Sequence, residues 1–150
     1  MRYLIGIGNY SKGDDGIGLR IVEKIAEDGL NKDFEVIDIA DDGYRLLDYL
    51  EVGTDRIVLV DAVRMGLEPG AVRVFSADEV TSTKLLAGMS THEGDVLRVI
   101  QMGRDLGLPV PPTTIVGIEP QRMELGMELS ETLAARFNEY LDCALNAMKS

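Results

Sequence analysis

The sequence predicts an α/β protein, a three-layer α/β/α sandwich around a mainly parallel, twisted sheet of about five strands. Three observations carry that expectation. Short apolar runs alternate with segments of helical period, which is the pattern of strand–helix–strand units. The runs Tyr3–Ile7 and Arg56–Val63 are apolar without clean alternation, as strands covered on both faces are. Gly, Pro and Asp punctuate the joins between runs. At 150 residues the chain suits one domain over residues 1–150, large enough to bury roughly 68–70% of its unfolded-chain surface.

In order, Tyr3–Ile7 reads as the first strand. Ile17, Ile21, Val22 and Ile25 recur at helical spacing and give a helix to about Asp28. Phe34–Ile39 is a second strand, and Tyr44–Leu50 a short helix with Leu46, Leu47 and Leu50 inward. Arg56–Val63 is a third strand; the turn Leu67-Glu68-Pro69-Gly70 follows, since Pro presets φ and Gly tolerates positive values. Ala71–Phe75 is a fourth, placed at an edge because Arg73 interrupts it. Ser76–Met89 lacks a period and reads as a long loop with at most a helical turn, a kind of loop that is often functional. His92–Leu106 is helical, with Ser90 and Thr91 as capping candidates, until Pro109-Val110-Pro111-Pro112 breaks it. Thr113–Ile118 is the last strand. Leu129, Leu133, Phe137, Leu141, Leu145 and Met148 then mark one final helix, with Ser130 as its cap.

Bulk properties exclude several classes. With a net charge of -11, the chain lacks the basic face that nucleic acid requires. The hydrophobic share of 45% and charged share of 27% are those of a globular protein. One cysteine, Cys143, cannot form an internal disulfide, so a reducing cytoplasm is expected. Met1-Arg2 leads directly into a strand with no signal-peptide pattern. No apolar stretch approaches the ~18 residues of a membrane span.

In parallel sheets, functional residues gather at the carboxyl ends of strands. Asp14 and Asp15 follow strand one, Asp61 ends strand three, and His92 enters a helix after the long loop. Glycine loops before helices usually hold phosphate. Two carboxylates there repel phosphate and attract a cation instead. Ser11 breaks the dinucleotide pattern G-x-G-x-x-G, and Gly13 after Lys12 breaks the P-loop. Gly6 and Gly8 then serve a tight exit and close packing. Oxygen donors with an imidazole suit a borderline divalent metal such as nickel or zinc. Three protein ligands leave positions open for water or substrate.

Each residue also has a plainer reading. Asp14 or Asp15 could simply cap the helix near Gly16, and Asp61 could pair with Arg64 or Arg56. His92, the only histidine, could be structural or merely exposed. Its place at a helix N-terminus disfavours the imidazolium and so favours the neutral, metal-binding ring. Cys143 lies in an amphipathic helix with no histidine near it in sequence, a poor setting for a nucleophile.

Gly6-Ile7-Gly8-Asn9 followed by Gly13-Asp14-Asp15-Gly16-Ile17-Gly18 resembles the signature of hydrogenase maturation proteases. The resemblance continues through Val60-Asp61-Ala62, Glu68-Pro69-Gly70, Ser90-Thr91-His92, Gly117-Ile118-Glu119-Pro120, Glu124-Leu125-Gly126 and Leu129-Ser130. It implies an aspartic-type endopeptidase that trims the C-terminal extension of a nickel–iron hydrogenase large-subunit precursor. The family's metal-contacting positions fall on Asp15, Asp61 and His92, which favours Asp15 over Asp14. Asp38 matches a position that acts near the substrate, giving Asp15, Asp61, His92 and Asp38 as the catalytic set. Nickel is expected to arrive with the precursor, held by its own cysteine thiolates, with no tightly bound cofactor in the protease. The absence of an H-E-x-x-H helix fits that expectation. One departure concerns the turn after Asp38, where Ile39-Ala40-Asp41-Asp42-Gly43 replaces the family's run of small residues. Two rival readings are a non-catalytic nickel-sensing or metallochaperone module with the same ligands, and a nucleotide-binding domain suggested by the glycine-rich loop alone.

Overall fold

The computed structural model describes residues 1–80 and 91–149, with side chains over 1–79 and 96–149. Five strands form one sheet: β1 (Arg2–Gly6), β2 (Glu35–Asp38), β3 (Arg56–Ala62), β4 (Val72–Ser76) and β5 (Thr113–Ile118). Their order is β2-β1-β3-β5-β4. All pairings are parallel except that of β4 with β5. The helices are α1 (Ile17–Glu27), α2 (Thr91–Asp105), α3 (Glu131–Ala135) and α4 (Phe137–Lys149).

Side chains alternate across the pleat, and here both faces are covered. Leu4, Val58, Val60 and Val116 meet α1 and the C-terminal helices through Ile21, Ile25, Leu133 and Tyr140. Ile5, Ile57, Leu59 and Ile115 point the other way, against Leu46, Val99 and Ile100. This two-sided burial is why β1 and β3 read as continuous apolar runs. It is also what makes the protein a three-layer α/β sandwich.

α1 forms as its spacing requires: Ile17, Ile21, Val22 and Ile25 are all 1% exposed or less. Two elements depart from expectation. Residues Gly43–Tyr49 form a 3-10 run rather than an α-helix. The span between two chain reversals is too short to nucleate an α-helix cheaply, and the tighter winding still seats Leu46 and Leu50 in the core. The final helix is divided at Arg136, where the Arg136 N–H donates to Leu133 O at 3.1 Å and the chain leaves the helical region. Leu133 before the break and Tyr140 after it both have zero exposure in one core.

β4 is an edge strand with Arg73 and Val74 exposed on its two faces, and its antiparallel direction makes the sheet mainly rather than wholly parallel. Ala77–Val80 is a 3-10 turn. The remainder of the expected Ser76–Met89 loop and the Ser90 cap lie outside the described residues. Ser130 caps α3, its side chain accepting from the Leu133 N–H at 3.4 Å.

Candidate active site

β1 lies between β2 and β3. The chain leaves β1 through α1 to reach β2 on one side, then crosses to β3 on the other. A crevice opens at such a reversal, beyond the carboxyl ends of the strands. Asp61 sits there near the end of β3, opposite Gly117 of β5, and is 2% exposed. Asp15 lies in the 3-10 turn Gly13–Gly16 and is 6% exposed.

Glycines bring the two elements together. A Cβ on Gly18 would stand 2.1 Å from the Val60 carbonyl oxygen, so the first turn of α1 rests on the backbone just before Asp61. Gly8, at φ +148°, approaches so closely that a Cβ would lie 1.9 Å from the Asp15 carbonyl oxygen. The glycine-rich loop thus serves backbone contact, as its failed phosphate motifs suggest. Arg56 opens the strand that Asp61 nearly closes, about 16 Å away at the rise of an extended chain. It is therefore no partner for Asp61.

The adjacent acids divide their roles. Asp14 has zero exposure. Its Oδ2 accepts from Gln121 N–H at 2.9 Å, Arg122 N–H at 2.9 Å and Ser130 Oγ–H at 2.8 Å. Its Oδ1 accepts from Ser130 N–H at 2.7 Å. Asp14 is thus a buried tie to the segment after β5. The plainer reading of Asp14 as a cap of α1 gives way to this tie, and the N-cap position of α1 is Gly16.

Asp38 pairs in register with Gly6 and is exposed on the rim of the crevice. Its Oδ1 accepts from Ala40 N–H at 2.8 Å. Ala40 takes a left-handed φ of +51°, and its carbonyl accepts from Gly8 N–H at 2.7 Å. Beside this turn a cleft of about 440 Å³ is lined by Ile7, Asp41, Asp42, Tyr44, Val99 and Met102.

His92 lies in the first turn of α2, and its side chain is outside the described residues. The structure therefore places Asp15 and Asp61, both buried, on elements that pack together at the carboxyl end of the sheet, and Asp38 at the end of neighbouring β2. Among the described residues no group of three or more His, Cys, Asp or Glu is arranged to hold a metal.

Two supporting features have no clear sequence signal of their own role. Glu119, 6% exposed, accepts from Met65 N–H at 2.7 Å and Leu67 N–H at 3.1 Å, strapping down the chain after β3. Tyr10 donates to Glu23 at 2.5 Å, and the Arg20 guanidinium stands 5.4 Å from its ring centre. Burial and the Glu23 contact push the Tyr10 phenol well above its ordinary value. Cys143 is likewise pushed up by burial, then by Glu139 and Asp142. A thiol so raised makes a poor nucleophile.

The family model described as hydrogenase maturation protease matches residues 19–147. The chain belongs to the hydrogenase maturation proteases. Its sequence is 28% identical over 152 residues to the hydrogenase 2 maturation protease of Escherichia coli, covering 99% of this chain and 92% of that one. It is 31% identical over 122 residues to the hydrogenase expression/formation protein HupD of Bradyrhizobium diazoefficiens, where 81% of this chain covers 63% of the relative. Among solved structures, the [NiFe] hydrogenase maturation protease HybD from Thermococcus kodakarensis superposes with a TM-score of 0.79 at 32% identity, over 99% of both chains. The hydrogenase maturating endopeptidase HybD from E. coli gives a TM-score of 0.81 at 26% identity, over 99% of this chain and 93% of that one. The protease is thus an endopeptidase of hydrogenase maturation, and no helix among its described residues is long and apolar enough to cross a membrane.

Proposed function

We propose that the protease removes the C-terminal extension of a nickel–iron hydrogenase large-subunit precursor after nickel insertion, reading the nickel that the precursor itself carries. The observation that supports this most is that Asp15 and Asp61, both buried, lie on elements that pack together at the carboxyl end of the sheet. Two largely buried carboxylates on adjoining elements offer oxygen donors, for which a divalent ion is the natural counter-charge.

Carboxylates with an imidazole match nickel's preference for mixed oxygen and nitrogen donors. In this reading the metal belongs to the substrate, bound by the precursor's thiolates, and the protease contributes Asp15, Asp61 and His92 around it. Gripping the metal also fixes the tail beside the carboxylates. One carboxylate takes a proton from water as it attacks the scissile carbonyl, and the proton passes to the departing amine as the C–N bond breaks. Asp38, on the rim, stands where the tail leaves the crevice. A reducing, cytoplasmic setting accords with the single thiol of Cys143.

The test is to incubate the protease with nickel-loaded and nickel-free precursor and weigh the products by mass spectrometry. The nickel-loaded form alone should lose the mass of its tail. An intact nickel-loaded precursor after prolonged incubation would overturn the reading. Asp15→Asn and His92→Ala should each lower processing by at least ~10²-fold while keeping the wild-type melting temperature. Unfolding of both variants would make these residues structural instead.

A further inference from the structure

The loop from Ile7 to Asp15 spends nearly all its backbone donors inside the protein. Ile7 N–H donates to Val60 O at 3.1 Å, Gly8 N–H to Ala40 O at 2.7 Å and Asn9 N–H to Asp15 O at 3.4 Å. The amides of Lys12, Gly13, Asp14 and Asp15 donate in turn to Asn9 O, Gly126 O, Arg122 O and Lys12 O. Ser11 N–H goes to Asn9 Oδ1. The remaining amide, that of Tyr10, is packed against Gly16, where a Cβ would stand 3.6 Å from its nitrogen. Loops that lead into a helix commonly offer such amides to a substrate oxygen. Here the backbone has little left to offer.

Asn9 is the side chain placed to supply what the backbone does not. Its N–H meets Asp15 O, and the preceding Gly8 N–H meets Ala40 O. The Asp38 carboxylate is near enough to the following Tyr10 to help raise its phenol. Asn9 therefore stands between the turns of Asp15 and Asp38, just beyond β1. Its Oδ1 is held twice, by Ser11 N–H at 2.9 Å and by Ser11 Oγ–H at 2.6 Å. With the oxygen so fixed, the planar amide has one orientation, and Nδ2 projects away from Ser11. Asn9 is half-buried, and among the described residues its Nδ2 donates to nothing. Asp or Ser could close the same turn by accepting from the amide two residues on. Asn adds an N–H2 group to that oxygen.

We infer that Asn9 Nδ2–H donates to the carbonyl oxygen of the scissile peptide bond, and this rests on the peptidase reading above. The oxygen of water bonds to the carbonyl carbon while a carboxylate takes the water's proton. The carbonyl electron pair moves onto oxygen, and the developing charge strengthens the bond from Nδ2. That pair returns as the C–N bond breaks and the proton passes to the departing amine. A donor oriented before the substrate arrives costs no reorganisation at the moment of reaction.

The test uses the full chain and the full-length nickel-loaded precursor. Asn9→Asp keeps an oxygen for Ser11 and replaces the N–H2 with a second oxygen. Asn9→Ser keeps an acceptor, removes the N–H2 and adds no charge. Both should lower kcat by about 10²–10³-fold, with KM within about threefold and the melting temperature unchanged. A role confined to the turn leaves kcat near wild type, and that result in either variant overturns the proposal. A second measurement follows the Asn9 side-chain amide by NMR in isotope-labelled Asp15→Asn protease, which leaves the precursor uncut. The signals should shift when full-length precursor binds and stay in place when precursor lacking its extension binds. Unshifted signals with full-length precursor bound overturn the proposal, even if the Asn9 variants fail to fold. If the wild type binds precursor without cutting it, the peptidase reading falls while the amide signals still judge the contact.

Discussion

Two backbone straps flank the loop that carries Asp15, and they are fastened in opposite ways. The strap over residues 121–130 hangs from Asp14, a carboxylate with zero exposure that satisfies four donors. The strap over residues 38–43 is held at the surface by exposed Asp38 and Asp42, which accept from Ala40 N–H and Tyr44 N–H, and by Ala40 O at Gly8. The buried tie is a stability element because losing it strands several amides. The exposed ties exchange readily with water, so that strap depends little on them for stability.

Substitutions can break that contrast. Asp14→Ala should cost the most, about 3–5 kcal/mol in urea unfolding, since the amides of Gln121, Arg122 and Ser130 lose a buried charged acceptor. An unchanged midpoint would mean that water replaces the carboxylate and the strap is not held by burial. Ser130→Ala removes one donor to Asp14 and the cap of α3, and should cost about 1–2 kcal/mol by the same measurement. Ala40→Gly should gain about 0.5 kcal/mol, because relief of a left-handed alanine outweighs the added freedom of the unfolded chain. Asp38→Asn should shift stability by less than about 0.5 kcal/mol yet slow processing. A large stability loss at Asp38 would erase the difference between the straps.

Much of this arrangement is legible in residue order. The continuous apolar runs of β1 and β3 signal two-sided burial, and the spacing of Ile17, Ile21, Val22 and Ile25 marks α1. Asp61 is recognisable because a carboxylate closing a buried strand needs a reason to be there. Which of Asp14 and Asp15 is structural is less accessible. The donors that occupy Asp14 lie 107 to 116 residues further along the chain, far beyond any local pattern. The family resemblance favoured Asp15, and the buried tie shows what occupies Asp14. The break at Arg136 was hidden for a related reason: the apolar period of Leu129 to Met148 runs through it unaltered.

Residue order is enough for the layers, the strand-and-helix order and the acids at strand ends, since periodicity and turn chemistry are local and cumulative. The strand order, the antiparallel edge and the buried tie of Asp14 come from the folded chain. Those depend on which amides and carbonyls arrive from distant segments. A side chain's work is set by the partners it meets, and chain closure alone brings residues so far apart in sequence within hydrogen-bonding reach.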